Sequence, residues 1–311
     1  MADCRLTDLA QTPSGDQIFL DHVGWFVPDI DAAGRQFERL GFRLTPFVAQ
    51  HNADPAGGPP LPAGTGNRCA MLRRGYLEIL AAVPGADTPL SAQLTAALAR
   101  YAGLHLIAFT VADAAAAHAR LEGEGFSPLP PVHLRRPVGL PDGGAGEVAF
   151  TVIRVPPGAM AEGRIQMLTQ ETPDLVWQDR LLARENGVAG LAGVLLCVED
   201  PAAVSARYAQ FCGRPAAGDG ACRVIDLDRG RLAFATPRYC AALLPGVDVP
   251  AVPLIAAIAL QADDPAVLRR LCEARGIGLL PAGDGTVRIR PAEAAGAALV
   301  VFGADEPWPF G

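Results

Sequence analysis

Leu20-Asp21-His22-Val23-Gly24-Trp25-Phe26-Val27-Pro28-Asp29 alternates like a β-strand and then ends on a residue suited to cap a helix. From Asp29 onward, Ile30, Ala33, Phe37 and Leu40 recur at helical spacing. Gly41-Phe42 then stops the helix and opens another strand. The unit therefore begins strand, helix, glycine, strand.

The unit returns three times. Leu106 to Val111 reads as a strand, Asp113 as a cap and Gly125-Phe126 as a stop. Asp29 lies 12 positions before Gly41, and Asp113 lies 12 before Gly125. A third copy has the strand Gly193 to Val198, cap Asp200 and a stop one position late at Gly213. A fourth has Ile255 to Leu260, cap Asp264 and a stop at Gly276. Successive caps lie 84, 87 and 64 residues apart.

Two further strands follow in each copy. In the first they are Asn67 to Leu72 and Tyr76 to Ala81, with Arg73-Arg74-Gly75 as the turn. In the second they are Glu147 to Val155 and Arg164 to Thr169, and in the third Cys222 to Leu227 and Arg231 to Ala235. In the fourth they are Thr286 to Ile289 and Ala298 to Phe302. Each copy reads βαβββ, and the fold class is α+β. One such unit cannot bury the open face of its curved sheet. Two side by side can enclose a cavity between their sheets while the helices cover the outside. The spacing predicts an N-terminal tail (1–17), a first paired unit (18–176), a linker (177–189) and a second paired unit (190–311). A polar helix-like stretch, Gln178 to Asn186, marks the join.

Composition agrees with this organisation and excludes others. The chain has 311 residues, enough for roughly two domains, and is 50% hydrophobic. The net charge of −7 offers no basic footprint for a nucleic-acid backbone. No apolar run reaches the roughly 18 residues of a membrane span. Met1 to Gln17 has no apolar signal core, which points to a cytoplasmic protein. The seven cysteines (Cys4, Cys69, Cys197, Cys212, Cys222, Cys240 and Cys272) show no CxxC pair, so reduced core residues are expected.

With these residues the arrangement resembles the vicinal oxygen chelate superfamily: glyoxalase I, bleomycin-resistance proteins, fosfomycin-resistance enzymes and extradiol dioxygenases. Gly64-Thr65-Gly66-Asn67-Arg68 together with Gly75-Tyr76-Leu77-Glu78-Ile79-Leu80 resembles its glyoxalase-like branch more narrowly. The resemblance covers roughly residues 18–175, and residues 190–303 match in layout alone. It implies a divalent metal (Zn, Ni, Mn or Fe) on the inner face of the cupped sheets, polarising adjacent oxygens of a small-molecule substrate. Lyase, isomerase and dioxygenase chemistry all remain open. The alternative is a non-catalytic sequestration protein of the bleomycin-resistance type. Neither a nucleic acid nor a membrane is an expected partner, and a homodimer is one open oligomeric state.

Carried over position by position, the resemblance implies His22 as first ligand, seven residues before its cap, and Glu78 as the carboxylate of the last strand. Both are the candidate catalytic residues. Gln166 is the register counterpart of Glu78 in the second copy. Seven back from Asp113 lies Leu106; the adjacent His105 has opposite parity and would need a β-bulge to turn inward. Asn67, Arg68, Arg164 and Tyr76 are candidate substrate contacts, the two arginines as anion clamps. The ligand positions of the last two copies hold Gly193, Ala233, Ala257 and approximately Val300, none of which coordinates through a side chain. The second half is therefore expected to be non-catalytic, the reverse of the extradiol dioxygenases. Residues 51–64, rich in Pro and Gly, are expected to form a lid loop, with His51 and Asp54 as weak contributors. Trp177 is expected to cover the join, and His118 to be exposed on a helix. His133, beside Arg135 and Arg136, points to no role.

Overall fold

The computed structural model of the protein describes residues 11–52, 57–140, 143–182 and 185–310. Four βαβββ units follow one another. The first is β1 (Ile18–Phe26), α1 (Ile30–Arg39), β2 (Val48–Asn52), β3 (Leu61–Met71) and β4 (Tyr76–Ala82). A connecting helix α2 (Pro89–Leu98) leads to β5 (Gly103–Val111), α3 (Ala114–Gly123), β6 (Val132–Gly139), β7 (Ala145–Arg154) and β8 (Arg164–Gln170). After a one-turn helix α4 (Pro173–Val176) come β9 (Val188–Cys197), α5 (Pro201–Cys212), β10 (Ala216–Asp219), β11 (Cys222–Asp226) and β12 (Arg231–Ala235). A second connector α6 (Pro237–Leu243) precedes β13 (Leu254–Ala262), α7 (Pro265–Ala274), β14 (Leu279–Leu280), β15 (Val287–Ile289) and β16 (Ala298–Gly303).

The repeat has a physical cause at both ends of each helix. Asp29, Asp113, Asp200 and Asp264 sit in extended backbone, and each side chain accepts a hydrogen bond from an N–H of the first turn. Gly41, Gly125, Gly213 and Gly276 have φ of 80°, 82°, 65° and 62°, the left-handed conformation that releases a chain from a helix C-terminus.

Strand pairing then makes two cups. β1 is parallel to β4 and antiparallel to β5, and β5 is parallel to β8. This gives the order β2-β3-β4-β1-β5-β8-β7-β6. The second cup repeats it as β10-β11-β12-β9-β13-β16-β15-β14. The central pairs carry register shifts that skip Asp21 of β1, His105 of β5, Ala192 of β9 and Ala256 of β13. Each of these residues lies eight positions before its helix cap. A bulge leaves one residue unpaired and bends its strand, so the curvature of each cup is built at equivalent points.

The helices lie on the convex sides of the cups, as expected, but there they are shared. One apolar core contains Phe37 of α1, Leu121 of α3, Phe211 of α5 and Leu268 of α7, together with sheet residues of both cups such as Trp25, Ile107, Val194 and Ile258. The Phe126 and Phe211 rings meet edge to face at 5.3 Å, and the Trp25 indole N–H donates to the Ala294 carbonyl at 3.0 Å. β13 also pairs with β5 at Ile255 and Leu104.

Three expectations are corrected. The segment 51–64 is not all loop: β2 ends at Asn52, β3 begins at Leu61, and β2 pairs back on β3. Asp54 lies outside the described residues. Among the described residues of the stretch 178–186 there is a 3-10 turn, Asp179–Leu181, and no α-helix. The connectors α2 and α6, absent from the periodicity argument, were signalled by caps: Thr88 with Ser91 forms a capping box before Pro89, and Thr236 caps before Pro237. Among the described cysteines all are free, five are buried and Cys222 is half-buried. Among the described residues no helix is long and apolar enough to cross a membrane.

Candidate active site

The concave face of the first cup encloses a cavity of about 90 Å³. Strand alternation selects its walls. His22 of β1, Tyr76 and Glu78 of β4, Leu106 of β5 and Gln166 of β8 all line it. In the parallel pairs His22 lies opposite Tyr76 and Gly24 opposite Glu78; Leu106 lies opposite Arg164 and Ala108 opposite Gln166. Leu106 therefore occupies the place of His22 in the second copy, and Gln166 that of Glu78.

His22 is buried and tightly held. Its Nδ1 is 2.7 Å from an Asp21 carboxylate oxygen. A carboxylate only accepts, so Nδ1 is the donor, and Nε2 faces the cavity. Nε2 is 3.7 Å from Glu78 Oε2. The Tyr76 ring stacks on the imidazole at 4.3 Å and 19°. Trp177 packs edge-on against Tyr76 at 6.3 Å. Asp21 is held in turn by Gln170, whose amide donates to both carboxylate oxygens at 3.2 and 3.3 Å. Burial, and then the negative charges of Asp21 and Glu78, push the Tyr76 phenol well above its usual range, so Tyr76 is a neutral ring and hydroxyl here.

Glu78 is buried in an apolar strand, where an unpaired carboxylate costs several kcal/mol. Its Oε1 accepts from Asn67 at 2.5 Å and from Gln50 at 3.4 Å. Thr65 donates to Gln50 at 2.7 Å and fixes that amide. Oε2 faces His22. The Gln166 carbonyl oxygen is buried and has no hydrogen-bond partner among the described residues. Two of the three donors implied by resemblance are thus close together, and the third is an unused oxygen on the same cavity wall.

Arginines form the rest of the polar wall. Arg164 is 7% exposed; its Nε donates to Gln93 at 2.8 Å, and its guanidinium lies 4.9 Å over the Phe26 ring. Burial, with Arg154 adding to it, lowers its pKa to about 10, against the pull of Glu78. Burial lowers Arg154 as well.

Several expected contributors lie elsewhere. Arg68 does not line the cavity; it pairs with Glu38 at 2.8 Å and donates to the Thr45 carbonyl at 3.1 Å. Its parity sends it to the helix side, opposite Asn67. The bulge expected of a metal-ligating His105 does form, but the ring does not reach the cavity lining. It stacks between Tyr101 at 4.0 Å and Phe26 at 5.4 Å, with Nε2 2.9 Å from the Tyr101 carbonyl. Burial lowers its pKa to about 4. His51 stands at the cavity wall but is exposed. His118 is half-buried, 3.2 Å from the Leu129 carbonyl, rather than exposed. His133 is exposed and meets Thr151 at 2.9 Å.

Asp21, Gln170, Gln50 and Arg154 were not foreseen. Asp21 was adjacent to His22 in sequence, but plain alternation sends it to the other face; the bulge brings it back. Gln170 shares the parity of Gln166 on β8 and could have been read from it, whereas no sequence signal marks Gln50 or Arg154 as inward.

The second cup has the same frame and a different filling. Arg231 lies opposite Gly193, Ala233 opposite Leu195, Ala257 opposite Ala298 and Ala259 opposite Val300. A Cβ built on Gly193 would stand 2.2 Å from the Trp308 ring. Trp308 thus sits where His22 sits in the first cup. Phe310, 1% exposed, packs with Ala233, Ala257 and Val300.

Comparison with known proteins places this geometry. A family model described as the glyoxalase-like domain matches residues 20–212. No curated protein matches the chain. Among solved structures, a hypothetical protein from Staphylococcus aureus aligns with a TM-score of 0.62 at 11% identity, over 92% of this chain and 99% of that one. A mutant of 4-hydroxymandelate synthase from Streptomyces coelicolor aligns at 0.55 and 13% identity, over 95% of each chain. A fusion of a xylose isomerase-like TIM barrel with 4-hydroxyphenylpyruvate dioxygenase aligns at 0.54 and 16% identity, over 87% of this chain and 40% of that one. At these identities the structures share the fold. By its family match over more than half its length, the chain belongs to the glyoxalase-like domain family of the vicinal oxygen chelate superfamily.

Proposed function

We propose that the first cup is the site of a small-molecule enzyme in which His22 Nε2, Glu78 Oε2 and the Gln166 carbonyl oxygen hold a divalent metal ion, Zn, Ni, Mn or Fe. The supporting observation is the Asp21–His22···Glu78 arrangement beside an unpartnered, buried Gln166 oxygen. The donors fit such an ion. The 3.7 Å between Nε2 and Oε2 would let both atoms serve one ion. A metal-bound histidine ordinarily gives its other N–H to a carboxylate, the role Asp21 has here. When bound, the ion polarises neighbouring oxygens of a substrate, the chemistry shared by isomerases, lyases and dioxygenases.

The chain's own residues do the rest. Asp21 fixes the His22 tautomer. Asn67 holds one Glu78 oxygen and leaves the other free as ligand or general base. Tyr76 keeps the imidazole plane, and Leu106 and Leu168 keep one wall dry. Chemistry is confined to residues 18–176, with 190–311 as a non-catalytic partner.

Metal analysis after mild purification tests this. About one ion per chain is expected in the wild type, lost in both His22→Ala and Glu78→Ala. No metal under any loading condition overturns it. That result would favour sequestration of a small molecule, a reading motivated by the absence, among the described residues, of three clustered His, Cys, Asp or Glu side chains.

A further inference from the structure

Arg154 and Arg164 are buried charged groups whose counter-charge among the described residues is Glu78 alone, at longer range than an ion pair. Among the described residues, neither has a carboxylate within ion-pairing distance, and Glu78 is the one carboxylate on the cavity wall. Arg154 Nε and Arg164 Nη2 are buried and have no hydrogen-bond partner among the described residues. Arg154 lies opposite Gln166 across β7 and β8, and Arg164 shares the face of Gln166 on β8. Arg154 is near enough to disfavour the charge on Arg164. Arg164 is also pre-positioned, by Gln93 on one side and the Phe26 ring on the other.

Their position adds a second observation. A further cavity of about 280 Å³ lies beside the first, lined by Leu90, Pro156, Pro157 and Met160 among others. Arg154 and Arg164 line both cavities, with Asn52, Ala63 and Leu90. They stand where this predominantly apolar chamber adjoins the chamber that holds His22 and Glu78. Two neighbouring guanidiniums with unused N–H groups can bind an anion: a planar fork of N–H donors matches two carboxylate oxygens, and burial strengthens the pairing.

We propose that Arg154 and Arg164 form an anion subsite that holds the carboxylate of an organic acid, with its apolar body in the adjoining apolar chamber. This extends the enzyme reading above by naming a substrate class, yet it rests on other residues and can fail separately. Isothermal titration with hexanoate, hexanamide and inorganic phosphate tests it. Hexanoate should bind at least tenfold more tightly than hexanamide. Arg154→Gln and Arg164→Gln should each abolish that preference without weakening hexanamide, whereas His22→Ala, which should lose metal, should keep it. Thermal melting gives a second readout: without ligand Arg154→Gln should melt higher than wild type, since an unpaired buried charge is gone, and hexanoate should no longer raise its melting temperature. Equal binding of acid and amide, no binding of hexanoate at millimolar concentration, or binding of phosphate but not hexanoate would each overturn the carboxylate subsite.

Discussion

The first cup carries His22, Glu78 and Gln166 where the second carries Gly193, Ala233 and Val300, on the same strands and in the same register. One encloses a cavity with paired polar groups. The other is filled by the C-terminal Trp308 and Phe310. The βαβββ frame therefore dictates where inward residues stand, not what they do. Once the polar groups are gone, the concave face is apolar surface that must be covered, and here the chain's own tail covers it. The polar cup buries groups that cost stability and that a ligand would satisfy; the apolar cup contributes stability.

That contrast predicts effects of different kinds in the two halves. The largest should come from the plug. Phe310→Ala should lower the unfolding free energy by about 3–5 kcal/mol, read by chemical denaturation, because a fully buried ring is removed from a packed core. Metal or ligand binding in the first cup should be unchanged; a loss there would show that the cups are coupled rather than divided.

A comparable effect should come from pH, at the bulge that in the first copy holds Asp21 and in the second holds His105. The folded protein keeps His105 neutral, with its pKa lowered from 6.5 to about 4 by burial. Between those values the unfolded chain binds the extra proton. Stability from this group is therefore complete above about pH 6.5 and falls as pH drops to about 4, by on the order of 3 kcal/mol. His105→Gln, which keeps a donor and does not titrate in this range, should lose that component of the acid sensitivity. An unchanged pH profile would mean that other groups carry it.

Asp21→Asn should weaken metal binding in the first cup by roughly 10- to 100-fold, since the group that orients His22 would no longer be a charged acceptor. Competition with a chelator measures this. An unchanged affinity would leave Asp21 as packing rather than support. The smallest effect separates frame from function altogether. Asp113→Ala and Asp264→Ala, one cap in each half, should each cost about 1 kcal/mol and leave both cups as they are.

Much of this molecule was legible before any coordinates. The cap Asp and stop Gly repeat because a helix needs an acceptor at its first N–H groups and a left-handed residue at its end, and both requirements are local. Alternation placed His22, Glu78, Tyr76 and Gln166 on one face for the same reason. It put Leu106, not His105, in the place of His22. Arg68 was expected at the cavity in error, because a strand-end arginine was weighed by its charge and not by its parity.

The local pattern of the chain thus determined the four units, their order and the faces of their strands, since capping, turn chemistry and side-chain alternation act over a few residues. Tertiary structure decided the rest. Asp21 turns back beside His22 only because β1 bulges against a strand more than eighty residues away. Arg154 and Arg164 become an unpaired couple only where β7 meets β8 beside Glu78 and Gln93. The tail becomes a plug only because Gly193 leaves room for an indole. Each depends on which distant groups share a desolvated space, a property of the assembled sheet that no short stretch of sequence carries.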